Sequence, residues 1–127
     1  MNSAYRVVVV DDDPDLRKLL KLTLEFTAGW EVTTAANGVE GIEVIRSLKP
    51  DLAVVDVMMP GMDGYEVCRR LKQDPETAGI PLVFLTARKE FNEQAAGEVG
   101  ARGVVVKPFE PDGLAERLRT LGEGVDA

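Results

Sequence analysis

The stretch Leu52-Ala53-Val54-Val55-Asp56-Val57-Met58-Met59-Pro60-Gly61-Met62-Asp63-Gly64 decides the fold. It begins as an unbroken apolar run and ends in a turn rich in Pro and Gly. A short apolar run bounded by turn signals predicts a strand buried on both faces, as in a parallel sheet. One carboxylate, Asp56, sits at the junction. An acid there is held at the carboxyl edge of the sheet, where open α/β folds bind their ligands. On this stretch alone, Asp56 reads equally well as a loop cap or as a functional acid.

Outward from it the pattern repeats. Tyr5 to Val10 carries four consecutive valines and reads as a first strand. It stops at Asp11-Asp12-Asp13-Pro14, where Pro14 suits a first helical turn and Asp13 an N-cap. Leu16, Leu19, Leu20 and Leu24 follow at helical spacing, with Phe26 near the end, and Gly29 stops the helix. Trp30 to Ala35 alternates as a second strand. Asn37-Gly38 is a turn signal. A helix over Gly38 to Leu48 then places Val39, Ile42, Ile45 and Leu48 on one face. Beyond Asp56, Gly64 to Lys72 predicts a helix with Tyr65, Val67, Cys68 and Leu71 inward. Ile80 to Leu85 predicts a strand ending at Thr86. Glu90 to Val99 is a weak helix, anchored by Phe91, Ala95 and Val99 and weakened by Gly97. Gly103 to Val106 is a short strand ending at Lys107-Pro108-Phe109. Pro111 to Leu121 is a last helix, with Leu114, Leu118 and Leu121 inward.

Five strands alternating with five helices imply a doubly wound α/β fold, (βα)5 and flavodoxin-like, with a parallel sheet of order 2-1-3-4-5 and helices on both faces. One domain over residues 1–121 and a flexible tail over 122–127 are expected.

Composition narrows the function classes. The chain has 127 residues and a formal net charge of −7, a poor match for nucleic acid, so no direct nucleic-acid binding by this chain is expected. It lacks histidine, which removes His-based catalysis and His metal ligands. The single cysteine, Cys68, forbids an internal disulfide and reads as a small buried hydrophobe in a reducing compartment. No apolar run approaches a membrane span and the start shows no signal-peptide h-region, so a cytoplasmic protein is expected.

In a parallel sheet every strand ends at one edge. The residues just past the apolar runs are Asp11 and Asp12, Asp56, Thr86 and Lys107. Carboxylates held close resist ionising together unless a cation joins them. All-oxygen donors suit a hard divalent ion, and Mg²⁺ takes few protein ligands while keeping waters. Mg²⁺, an ammonium and a hydroxyl are well matched to a phosphoryl group, whose transfer depends on positioning and charge neutralisation. A carboxylate can itself be the nucleophile and form an aspartyl phosphate.

These residues resemble the receiver domain of two-component response regulators. The matching pieces are Val7-Val8-Val9-Val10-Asp11-Asp12-Asp13-Pro14, Asp56-Val57-Met58-Met59-Pro60-Gly61-Met62-Asp63-Gly64, Leu85-Thr86-Ala87-Arg88 and Val106-Lys107-Pro108-Phe109. Together, in this order and at these separations, they cover nearly the whole chain. The resemblance implies that Asp56 is the phosphoacceptor, Asp12 binds Mg²⁺ directly and Asp11 largely through water. It implies a further metal ligand in the backbone carbonyl of Met58, phosphoryl contacts from Thr86 and Lys107, and a cis peptide before Pro108. Met58 and Arg88 fall where the family varies the side chains around the phosphoryl group. The implied partner is a sensor histidine kinase or a histidine phosphotransfer protein, with homodimerisation on phosphorylation left open. The implied output is a change of the surface formed by the fourth helix, fifth strand and fifth helix. The chain would catalyse only its own phosphorylation and dephosphorylation.

One departure is plain. Val104 stands three before the lysine, where the family usually has Tyr or Phe, and the segment from Thr86 to Lys107 is about one residue short of typical members. A weakly held fourth helix is expected, with an output that leans on that helix rather than on an aromatic rotamer. Two rivals fare worse. A haloacid-dehalogenase-type phosphohydrolase would use Asp11-Asp12-Asp13, but Asp15 stands where that family wants Thr or Val. A flavin or nucleotide binder needs N–H-rich residues after the first strand, and this loop is acidic.

Overall fold

The structure, a computed structural model, describes residues 4–87 and 93–124, with backbone alone for 93–95. The elements run β1 (Arg6–Val10), α1 (Pro14–Ala28), β2 (Glu31–Ala35), α2 (Gly38–Leu48), β3 (Leu52–Asp56), α3 (Gly64–Gln73), β4 (Leu82–Thr86), α4 (Glu93–Glu98), β5 (Gly103–Val106) and α5 (Leu114–Glu123). All strand pairs are parallel, in the order β2-β1-β3-β4-β5, as expected.

The valine run explains the layering. Successive side chains on a strand point to opposite faces. Val7 and Val9 therefore join Leu20, Leu24, Val54, Leu85 and Leu118 under α1 and α5. Val8 and Val10 join Ile45, Val55, Cys68 and Phe84 under α2 and α3. Val7 to Val10 and Leu52 to Val55 are apolar at successive positions and serve both cores, as strands buried on both faces do.

Polar caps set where the helices begin. The Asp13 side chain accepts from the N–H groups of Asp15 and Leu16, with Pro14 in the first turn, and Gly29 closes α1 at φ 70°. Asp63 caps α3 through the Glu66 N–H. Asn37, expected only as a turn residue, caps α2 through the Glu40 N–H.

Several boundaries and facings differ from expectation. α1 turns about 100° per residue, which aligns Leu16, Leu20 and Leu24 but rotates Leu19 and Phe26 off that face. Leu19 is exposed and Phe26 is 92% exposed. Val39 is likewise exposed, while Ile42 and Ile45 are buried. β4 starts at Leu82 instead of Ile80, because Ile80 turns back to donate its N–H to the Thr77 carbonyl. α5 starts at Leu114, after Gly113 at φ 83°, instead of at Pro111. It also runs past Leu121 to Glu123, with Gly122 buried and Gly124 as its cap. Part of the expected tail is therefore helix, and residues 125–127 lie outside the described ones. α4 is six residues long where described, and Arg88 and Phe91 lie outside the described residues. Among the described residues, no helix is long and apolar enough to cross a membrane.

One close approach bears on the site. A Cβ on Gly64 would stand 2.5 Å from the Asp56 carbonyl oxygen and 2.8 Å from the Val57 Cα. Both obstacles are backbone, so the start of α3 can press against the end of β3 only with glycine there. Gly64→Ala is expected to destabilise the chain by about 1–3 kcal/mol in urea unfolding, as overpacking does. Gly79→Ala, which meets nothing within 4 Å, should stay near wild type.

Candidate functional site

Strand register gathers the site. Val10 lies opposite Val55, so the next residues, Asp11 and Asp56, are neighbours. Thr86 lies opposite Val106, so Lys107 follows beside it. All five residues picked out at the strand ends thus fall at one edge of the sheet.

Asp11 is fully buried and held at several points. Its Oδ1 accepts from the Asp13 N–H at 2.9 Å, and its Oδ2 accepts from Lys107 Nζ at 3.2 Å. Its own N–H donates to the Ala35 carbonyl at 3.1 Å, and its carbonyl accepts from Arg17 Nη1 at 2.7 Å. Asp56 is buried as well; its Oδ1 accepts from the Met58 N–H at 3.3 Å and lies 3.5 Å from Lys107 Nζ. Lys107 therefore stands between two buried acids. Its backbone N–H donates to the Thr86 carbonyl at 2.7 Å, and its peptide bond to Pro108 is cis, as the resemblance implied. Thr86 is fully buried and Asp12 is exposed. The Met58 side chain faces solvent, while Met59 is core. Asp63 serves the helix cap.

Carboxylate oxygens of Asp11, Asp12 and Asp56 all lie within 4.8 Å of one another. Three acids and one ammonium leave the cluster two negative charges in excess when ionised. The strain registers on Asp56, whose pKa is pushed up to about 6 from an ordinary 3.8. Burial is the largest cause and the Asp11 charge the next; Lys107 and the Met58 N–H pull the other way. An all-oxygen donor set with one exposed member fits a hard cation that keeps part of its water, so the residues could hold Mg²⁺.

Arg17 escaped sequence reading. Its signal is positional: long helical side chains lean back toward the N-terminus and so toward the strand end. Val104 is buried beside Phe84, its register partner on β4, and the Tyr65 ring packs tilted at 59° against Phe84 with centroids 5.5 Å apart. The aromatic bulk near β5 thus comes from β4 and α3.

Comparison with known proteins agrees with this geometry. The response regulator receiver domain matches residues 7–119, and the chain belongs to that family. It is 44% identical over 119 residues to the response regulator MprA of Mycobacterium ulcerans, covering 93% of this chain and 50% of that protein. It is 40% identical over 115 residues to the DNA-binding response regulator MtrA of Mycolicibacterium smegmatis, covering 90% of this chain and 49% of that one. The chain spans about half the length of the curated relatives it matches. Chemotaxis protein CheY4 of Vibrio cholerae superposes with a TM-score of 0.86 at 32% identity, covering 94% of this chain and 99% of that one.

The raised carboxyl gives a signed expectation. A pKa higher in the folded chain favours folding below pH 3.8, and that contribution is lost as pH rises through about 6. Without divalent cations, Asp56→Asn should raise the melting temperature above pH 7, and its advantage should shrink as pH falls from 6 to 4. Melting curves across that range decide it; an advantage that grows in acid would overturn the assignment.

Proposed function

We propose that this receiver accepts a phosphoryl group on Asp56 from a phosphohistidine of a sensor histidine kinase or a histidine phosphotransfer protein. One observation carries the reading: Asp56 is buried at a strand end beside Asp11, with the Lys107 ammonium between them. An Asp56 oxygen forms the new O–P bond as the donor's N–P bond breaks, and the electron pair leaves on the imidazole nitrogen. Lys107 then pairs with a phosphoryl oxygen, and the Thr86 hydroxyl donates to another. Asp11, Asp12, Asp56 and the Met58 carbonyl are the proposed Mg²⁺ holders. Bound Mg²⁺ would neutralise the negative charge gathered on the phosphoryl oxygens. The chain catalyses only its own phosphorylation and dephosphorylation.

The proposed receiver unit ends with α5. Its output is a change of the α4–β5–α5 surface, with homodimerisation as one form that output can take. Val104 cannot supply an aromatic rotamer to that change, so the weight falls on α4, which is short where described. The acidic net charge of −7 argues against nucleic-acid contact by this unit itself. One free, buried cysteine fits a reducing compartment, and the cytoplasm is the proposed location.

Intact mass after treatment with acetyl phosphate and Mg²⁺ tests the acceptor. The wild type should gain one phosphoryl group and Asp56→Asn none; equal labelling of both sinks the assignment. Amide NMR with and without Mg²⁺–beryllofluoride tests the output. Shifts should extend from the pocket to residues 93–106, and shifts confined to the pocket would contradict an output through α4.

A further inference from the structure

Asp11 and Asp12 must be held in a fixed relation to each other to act as a metal pair. Asp11 is buried and Asp12 exposed, yet their carboxylates converge with that of Asp56. A single peptide unit links the two residues, and its carbonyl is that of Asp11. That carbonyl accepts from Arg17 Nη1 at 2.7 Å, a short bond from a charged donor. The peptides on either side are also tied. The Asp11 N–H donates to the Ala35 carbonyl, and the Asp13 N–H donates to Asp11 Oδ1. Arg17 ties the peptide between them.

We propose that Arg17 is a positioning residue for the metal pair Asp11–Asp12: its guanidinium locks the peptide that joins them. The inference rests on the Mg²⁺ reading given above. Arg17 reaches this carbonyl because it lies four residues after the Asp13 cap, in the turn of α1 nearest the strand end, where Arg17 N–H also donates to the Asp13 carbonyl at 3.0 Å. One turn further on, Lys21 makes a comparable contact: its Nζ donates to the Val32 carbonyl of β2 at 2.6 Å. Both side chains staple α1 to the sheet. Only the Arg17 staple holds the acidic turn, so Lys21 is the structural comparator.

Charge and positioning predict opposite signs. A guanidinium near a dication repels it, so losing the charge alone would tighten Mg²⁺ binding. Losing the lock lets the peptide turn and spreads the two carboxylates, which weakens binding. Groups that orient metal ligands typically contribute about 10–100-fold in affinity.

Calorimetric titration of the full chain with MgCl₂ tests this, with melting curves confirming that each variant is folded. Arg17→Ala should weaken Mg²⁺ by about tenfold or more. Arg17→Lys, which retains a donor of similar reach, should keep most of the affinity. Lys21→Ala should lower the melting temperature and leave Mg²⁺ affinity at the wild-type value. If Arg17→Ala does not fold, Arg17→Met, which keeps the apolar stem, is read in the same way. Unchanged or tighter binding in the Arg17 variants, no rescue by Lys, or an equal loss in Lys21→Ala would each overturn the proposal. A wild-type chain that takes up no Mg²⁺ overturns the metal reading itself; wild-type uptake with unaffected Arg17 variants overturns this inference alone.

Discussion

Two buried carboxylates share one ammonium at the edge of this sheet. Lys107 lies 3.2 Å from Asp11 and 3.5 Å from Asp56. An isolated buried charge is costly, and a like-charged neighbour adds to the cost. The arrangement persists because the backbone forces it. β1 and β3 are adjacent and in register, and each is apolar until the position where its acid stands. The sheet cannot form without bringing Asp11 and Asp56 together, and burial with Asp11's charge leaves Asp56 poised near pKa 6.

The surrounding structure serves that constraint. Asp13 does two things: its side chain caps α1 and its N–H steadies the Asp11 carboxylate. Gly64 lets α3 start against the Asp56 carbonyl, and Asp63 caps it there. α1 and α3 therefore begin close to the acids. This is how a parallel sheet makes a precise polar cluster: rigid strands aim the groups and helix caps fix the turns that follow. The cluster remains two charges short of neutrality when ionised, which is the physical case for a hard dication.

Much of this was legible in the chain. The valine run, the Asp56 run and the alternation of elements gave the fold, because a strand apolar on both faces has few places to go. The strand-end acids, threonine and lysine followed, since a parallel sheet puts all its carboxyl ends together. Facing was less legible. Leu19 and Phe26 look like core in an apolar helix, yet Leu16, Leu20 and Leu24 fill the face that packs. Periodicity permits more than one apolar stripe, and only the neighbour chooses. Val104 is similar: sequence shows an absent ring, while the structure shows Phe84 and Tyr65 supplying aromatic bulk beside it.

By itself the sequence determined the strand order, the family and the identity of the residues at the edge. These depend on local pattern and on the fixed geometry of parallel strands. Tertiary structure alone decided how those residues are held. Lys107 bridges Asp11 and Asp56 across 96 positions between the lysine and Asp11, and Arg17 grips the Asp11 carbonyl from α1. The lysine bridge has no local spacing behind it, and the Arg17 bond, spanning only six residues, needs the right helix rotation to form. They depend on strand register and helix rotation, which are settled only when the whole core packs.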